Sequence, residues 1–206
     1  MSLSILLCFI GASMALTLAP GPDNLFVTAQ GIARGRRAAI ITAHGMCSGI
    51  SVHTAAAALG ISALFYSSVL AFNLVKYAGA LYLLYLAVKT VRNSSPLSLE
   101  PVAVLPAAAL FRRGFIMNVL NPKVALFFLA FLPQFISPGS THVPLQMLLL
   151  GAIFMVQAIM IFTAIGWFSG SIGRILRTRP GMARTFDWLT AGVFASLGLR
   201  LALAQR

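Results

Sequence analysis

Apolar residues fall in runs long enough to cross a bilayer, separated by short polar connections. A spanning helix needs about 20 mainly apolar residues, and six such runs are present. The first covers about residues 3–32, too long for one straight helix, and is interrupted at Pro20-Gly21-Pro22. The second covers about 39–65 and the third about 70–91, with a weakly marked turn near Tyr66-Ser67-Ser68 between them. The fourth covers about 114–136, the fifth about 144–170, and the sixth about 182–204, where Arg184, Asp187 and Arg200 intrude. The pattern predicts a single all-α membrane domain over residues 1–206. Residues 1–92 form a first three-helix unit, 93–108 a cytoplasmic connection and 109–206 a second three-helix unit.

Composition agrees with this reading. Of 206 residues, 59% are hydrophobic and only 9% charged, whereas soluble domains carry about 25% charged residues. A net charge of +12 would suggest nucleic acid as a partner in a soluble chain. Here the basic residues sit in the connections, and no basic amphipathic helix or aromatic stacking platform accompanies them, so no nucleic-acid role follows. Residues 1–19 contain no basic residue and the apolar run continues past them, which predicts a retained first span rather than a secretory signal. Cys8 and Cys47 have no CxxC or Cys/His spacing and read as packing residues, and no cofactor is implied.

The charges also give an orientation. Arg34, Arg36 and Arg37 follow the first span, and Lys89, Arg92, Arg112 and Arg113 follow the third. Arg174, Arg177, Arg179 and Arg184 follow the fifth, so eleven of the 15 Lys and Arg lie on one side. That side is predicted to be cytoplasmic, which places both termini away from the cytoplasm. Lys76, Arg200 and Arg206 fall opposite, where long side chains can snorkel to the interface.

Two prolines 100 residues apart each sit in an apolar run and precede a charge: Pro22-Asp23, flanked by Pro20, Gly21 and Asn24, and Pro122-Lys123, flanked by Asn118 and Asn121. Intramembrane charges are costly, usually functional and usually paired. Helices broken beside such groups are a common way to build a transport site at the bilayer midplane. With three spans in each half, a duplicated unit must lie inverted relative to its twin. The two Pro-charge pairs match the first span to the fourth. Tyr77-Ala78-Gly79 against Thr190-Ala191-Gly192 matches the third to the sixth more loosely.

Proline lacks an N–H, so Pro20 and Pro22 free the carbonyls of Leu16 and Leu18, and Pro122 frees that of Asn118. A substrate ammonium could use such oxygens. Each new half-helix presents unpaired N–H groups and a positive dipole end. Asp23 suits that position, whereas Lys123 does not and should seek an anion, either Asp23 or a substrate carboxylate. One carboxylate, one ammonium and exposed backbone groups together suit a zwitterion. The plain alternative is a buried ion pair that only fixes helix packing. Asn118 and Asn121, three apart on one helix face, could serve a substrate or a neighbouring helix. Gln134 near the outer end reads as gate or interface. His44 and His53, nine apart, face opposite ways and read as packed or interfacial. Gly45/Gly49 and Gly166/Gly170 form GxxxG pairs suited to close packing or to a homodimer interface.

Pro20-Gly21-Pro22-Asp23, Asn121-Pro122-Lys123, the following Leu129-Ala130-Phe131-Leu132-Pro133-Gln134-Phe135, and Gly79-Ala80-Leu81-Tyr82-Leu83 in the third run together resemble the LysE/RhtB family of bacterial amino-acid exporters. The likeness covers essentially the whole chain. It implies six spans with broken first and fourth helices, an inner-membrane location, and outward movement of amino acids or close derivatives, driven by protons. It also implies transport roles for Pro20, Gly21, Pro22, Asp23, Asn121, Pro122 and Lys123. Asp23 is then the candidate proton carrier, because burial and a neighbouring ammonium act in opposite senses on a carboxyl proton. Rival readings are a transporter of another solute or a metal cation, or a membrane scaffold. No nucleophile–base pairing suggests an enzyme.

Overall fold

The computed structural model describes residues 1–19, 21–61, 69–92, 105–136, 140, 142–178 and 180–203. These are helical, with no strand among them. Pro20, the turn near Tyr66-Ser67-Ser68, residues 93–104 of the connection, and Arg206 lie outside the described residues.

Helix α1 (Leu3–Leu18) starts at Ser2, whose side chain accepts from the Ile5 N–H. It buries Phe9, Ala12, Ser13, Leu16 and Thr17, a one-sided helical stripe. Its ladder ends where the Ala19 N–H reaches the Ala15 carbonyl. Helix α2 (Pro22–Arg34) then departs at 55°, with Pro22 in the first position, where a missing N–H costs nothing. At Gly35, φ is +83°, a left-handed conformation suited to glycine. It turns the chain into α3 (Arg36–Ala56), which loosens into a π turn over Ala57–Ile61.

Helix α4 (Val69–Arg92) precedes the connection, and α5 (Ala107–Val119) follows it. The start at Ala107 puts Arg112 and Arg113 inside a helix, well before the apolar run expected to begin at Gly114. After the second break, α6 (Pro122–Leu126) bends away by 47° and continues as a π turn (Phe127–Phe131) and a 3-10 turn (Leu132–Phe135). Helix α7 (Val143–Thr178) is continuous for 36 residues, eight beyond the expected apolar end. Helix α8 (Pro180–Leu203) closes the chain. Val143–Gly173 is long and apolar enough to span a bilayer, and the bent pairs α1/α2 and α5/α6 meet the same test when each is taken as one span.

Packing joins the two halves. Helix α3 lies against α5 and α7, α2 lies against α7, and α4 pairs with α8. Small residues permit the α3–α5 approach: Gly45 sits against the Phe111 carbonyl and Gly114 against that of Thr42. Gly166 meets Ala39 of α3, whereas nothing stands within 4 Å of a Cβ at Gly170. The first GxxxG pair therefore packs inside the chain, and only one residue of the second does. Phe9, Phe127, Phe128, Phe131, Phe135 and Phe154 form an aromatic cluster with ring centroids 5.1–6.1 Å apart. Lys76 is buried, its ammonium 4.4 Å from the Tyr77 ring centre, rather than extended to an interface. Cys8 is exposed, whereas Cys47 is buried.

Candidate functional site

The two breaks meet. Asp23 and Lys123 are 2% and 4% exposed, and the Lys123 Nζ lies 3.6 Å from Asp23 Oδ2, an ion pair longer than a hydrogen bond. Lys123 Nζ also donates to the Ala19 carbonyl at 3.2 Å. Asn121 Nδ2 donates to Asp23 Oδ1 at 2.7 Å, while Asn121 Oδ1 accepts from the Lys123 N–H at 3.0 Å. One amide thus caps α6 and holds the carboxylate of α2. Gly21 is extended, so its backbone asks for no glycine, yet a Cβ there would stand 3.1 Å from Lys123 Nζ. Its missing side chain is what lets the ammonium reach the first break.

Two of the freed carbonyls, those of Leu18 and Asn118, find partners that the sequence did not suggest. The Leu18 carbonyl is taken by Asn24 Nδ2 (3.4 Å), which also bonds the Thr17 carbonyl (3.1 Å). The oxygen facing a cation is that of Ala19, not Leu16 or Leu18. The Asn118 carbonyl, freed by Pro122, accepts from the Asn121 N–H (2.9 Å) and from His53 Nε2 (3.0 Å). A carbonyl only accepts, so that ring nitrogen carries a proton. His53 is therefore tied to the second break rather than simply packed, while His44 is exposed. Asn118 and Asn121 are separated by the break and do different things. Asn121 bridges to Asp23, whereas Asn118 Oδ1 is buried without a hydrogen-bond partner among the described residues.

Beside the pair lies a small cavity lined by Leu16, Thr17, Ile50, Asn118, Phe154 and Phe162, with Asp23, Lys123 and Val124 completing its wall. Its volume of about 10 Å³ has room for about one water molecule. The site is therefore closed on itself. Thr17 donates to the Ser13 carbonyl (2.8 Å) and accepts from Gln157 Nε2 (2.9 Å), tying α1 to α7 next to the cavity. Neither Thr17 nor Gln157 carries a charge or neighbours a proline, so no sequence signal marked them. Gln134 bonds the Ala130 carbonyl within its own turn. Among the described residues no three His, Cys, Asp or Glu side chains come together to hold a metal ion.

Two broken helices thus bring a buried carboxylate and a buried ammonium together, and discontinuous helices recur in transporter folds. The family model for LysE type translocators matches residues 14–205. The chain belongs to the LysE family of translocators. As a LysE-family member it is a transporter and not an enzyme. It is 32% identical over the full length of both chains to an uncharacterized membrane protein of Vibrio cholerae. It is 28% identical to a leucine efflux protein of Enterobacter sp., covering 94% of this chain and 93% of that one. It is also 28% identical to a homoserine/homoserine lactone efflux protein of Salmonella typhimurium, covering 96% and 95%. No solved structure matches this LysE-family chain.

Proposed function

We propose that the protein is a secondary active exporter of amino acids or close derivatives across the bacterial inner membrane. Relatives named for leucine and for homoserine efflux support that substrate class. The observation that carries the mechanism is the buried Asp23–Lys123 pair joining the two helix breaks. A zwitterion can replace each half of this pair. Its carboxylate takes Lys123, and its ammonium takes Asp23 and the Ala19 carbonyl. Neither protein charge is then left unpaired, which would be costly in the bilayer core.

The cavity is too small for an amino acid, so binding requires the two halves to move apart on one side and then on the other. In our reading the six spans form two inverted three-helix repeats, residues 1–92 and 109–206, that rock around the pair. The α4–α8 pairing fits that arrangement, since each is the third span of its half. Arg34, Arg36, Arg37, Lys89, Arg92, Arg112 and Arg113 favour a cytoplasmic face at those helix ends, with both termini opposite. Protons supply the drive: a proton entering from outside neutralises Asp23, frees Lys123 and resets the site. Gly21 and Pro22 set the first bend, Pro20 belongs to the same transport motif, and Asn24, Asn118, Asn121 and Pro122 hold the backbone around the exchange.

The test compares wild type and Asp23→Asn in cells loaded with dipeptides, with every amino acid quantified inside and outside over time. Release of one or a few amino acids is expected from wild type only. Equal insertion of both proteins with no change in any amino-acid pool overturns the proposal.

A further inference from the structure

Helix α2 carries a second polar feature that the exchange at Asp23 does not use. Gln30 is fully buried, yet neither its Nε2 nor its Oε1 has a hydrogen-bond partner among the described residues. A buried amide left unpaired is destabilising. Four residues on, Arg34 gives Nη2 to the Leu105 carbonyl (2.6 Å), while its Nη1 is buried without a partner among the described residues. At 3.6 residues per turn, Asp23, Gln30 and Arg34 fall within about 40° of one line along α2, a stripe roughly 16 Å long.

One end of the stripe reaches the second half of the chain and the other reaches the connection that leads into it. Asp23 meets Asn121 and Lys123, and Arg34 meets Leu105 just before α5. Gln30 lies between them along α2, buried and without a partner for its amide among the described residues. The other end of the pair is different. Beyond α6 the aromatic cluster fills the space with apolar rings. Along α2 the groups of Gln30 and Arg34 left unpartnered among the described residues add to those of Asn24, Asn118 and Gln157 around the pair, whereas apolar rings fill the space beyond α6.

We propose that the Asp23–Gln30–Arg34 stripe is the cytoplasmic approach to the central pair, and that Gln30 is an intermediate binding station for a zwitterionic amino acid. The Gln30 amide donates to a carboxylate through Nε2 and accepts from an ammonium through Oε1, so it can hold either end of the substrate without a charge of its own. Arg34 Nη1 offers a cation to the carboxylate at the entrance. A neutral station between a cationic entrance and a carboxylate–ammonium centre passes a zwitterion inward without trapping it. This assignment rests on the export reading and adds a residue that reading does not require.

The test uses inside-out membrane vesicles from cells expressing the full chain, energised and supplied with a labelled mixture of the common amino acids and homoserine. In them the cytoplasmic face is outermost. For whatever amino acid wild type takes up, Gln30→Leu is expected to raise KM at this face about ten-fold, the worth of a hydrogen bond to a charged group. KM measured from the opposite face in right-side-out vesicles stays near wild type. Gln30→Asn, which keeps a shorter amide, falls between. Melting of the purified protein separates binding from folding. Replacing an unpaired buried amide by leucine should leave the midpoint unchanged or raise it. Unaltered KM in Gln30→Leu, equal KM changes at both faces, or a lowered midpoint each overturns the assignment while leaving export intact. Wild-type vesicles that take up none of the mixture overturn the export reading and this station with it.

Discussion

The two helix breaks look alike in sequence, and the structure makes them unequal. The second break is largely self-sufficient. Asn121 caps α6 with its own side chain, and the freed Asn118 carbonyl has the Asn121 N–H and His53. The first break has no side-chain cap at Gly21, and its Ala19 carbonyl is satisfied by an ammonium 104 residues away. The acidic side chain also suits its place at the start of α2, whereas Lys123 opposes the dipole of α6. The lysine is tolerated because the first break supplies it with a carboxylate and a carbonyl. One break is a built terminus, whereas the other satisfies its Leu18 carbonyl with Asn24 but takes the partner of its Ala19 carbonyl and the counter-charge of Asp23 from the second half.

Removing that partner gives the largest expected effect. Lys123→Leu strips the Ala19 carbonyl of its donor and leaves the Asp23 carboxylate buried without its counter-charge. Breaking a buried pair from one side costs about 3–5 kcal/mol. A large drop in melting midpoint and no measurable export should follow. Asp23→Asn combined with Lys123→Leu should recover much of the stability but no export. If Lys123→Leu melts like wild type, the first break does not depend on the second and the comparison fails.

A cut at the cap of the second break should cost less. Asn121→Ala removes the N-cap of α6 and the 2.7 Å bond to Asp23, together about 2–3 kcal/mol. Export should fall but persist, because Asp23 and Lys123 remain in reach of each other. Thermal melting paired with dipeptide-loaded export assays reads both quantities. Loss of export as complete as in Lys123→Leu would mean that Asn121 contacts the substrate itself.

Much of this was legible because the expensive features of a membrane protein are rare in its sequence. Asp23 is one of only three acidic residues, and Lys123 stands in an apolar run, so charge and proline single both out and leave Asp23 as one of two candidate anions for Lys123. The helical runs were legible for the same reason, although α5 begins seven residues ahead of its expected start, since arginines sit comfortably on a helix that ends at an interface. Hidden were the groups whose role depends on three-dimensional reach. Gly21 stood out only as part of the Pro20-Gly21-Pro22-Asp23 motif, and its value is the room it leaves for Lys123. Asn24 folds back on Thr17 and Leu18, and His53 comes from α3 to a carbonyl of α5. Gln30 carries no motif at all; only its burial without partners distinguishes it from a packed amide. Hydropathy patterns report what lies in the membrane, and they do not report which polar atom meets which.

His53 sets the smallest effect and the finest test of the comparison. If the second break is self-sufficient, the Asn118 carbonyl keeps the Asn121 N–H when the imidazole is removed. His53→Phe should then cost about 1 kcal/mol, the net worth of one hydrogen bond. The new ring would stand beside Phe128, whose centre already lies 5.9 Å from the imidazole, so packing loss should be slight. Export should stay close to the wild-type rate. A variant that melts normally but no longer exports would place His53 in the transport cycle. The second break would then need a group from α3 to function, and the contrast between the two breaks would concern folding alone.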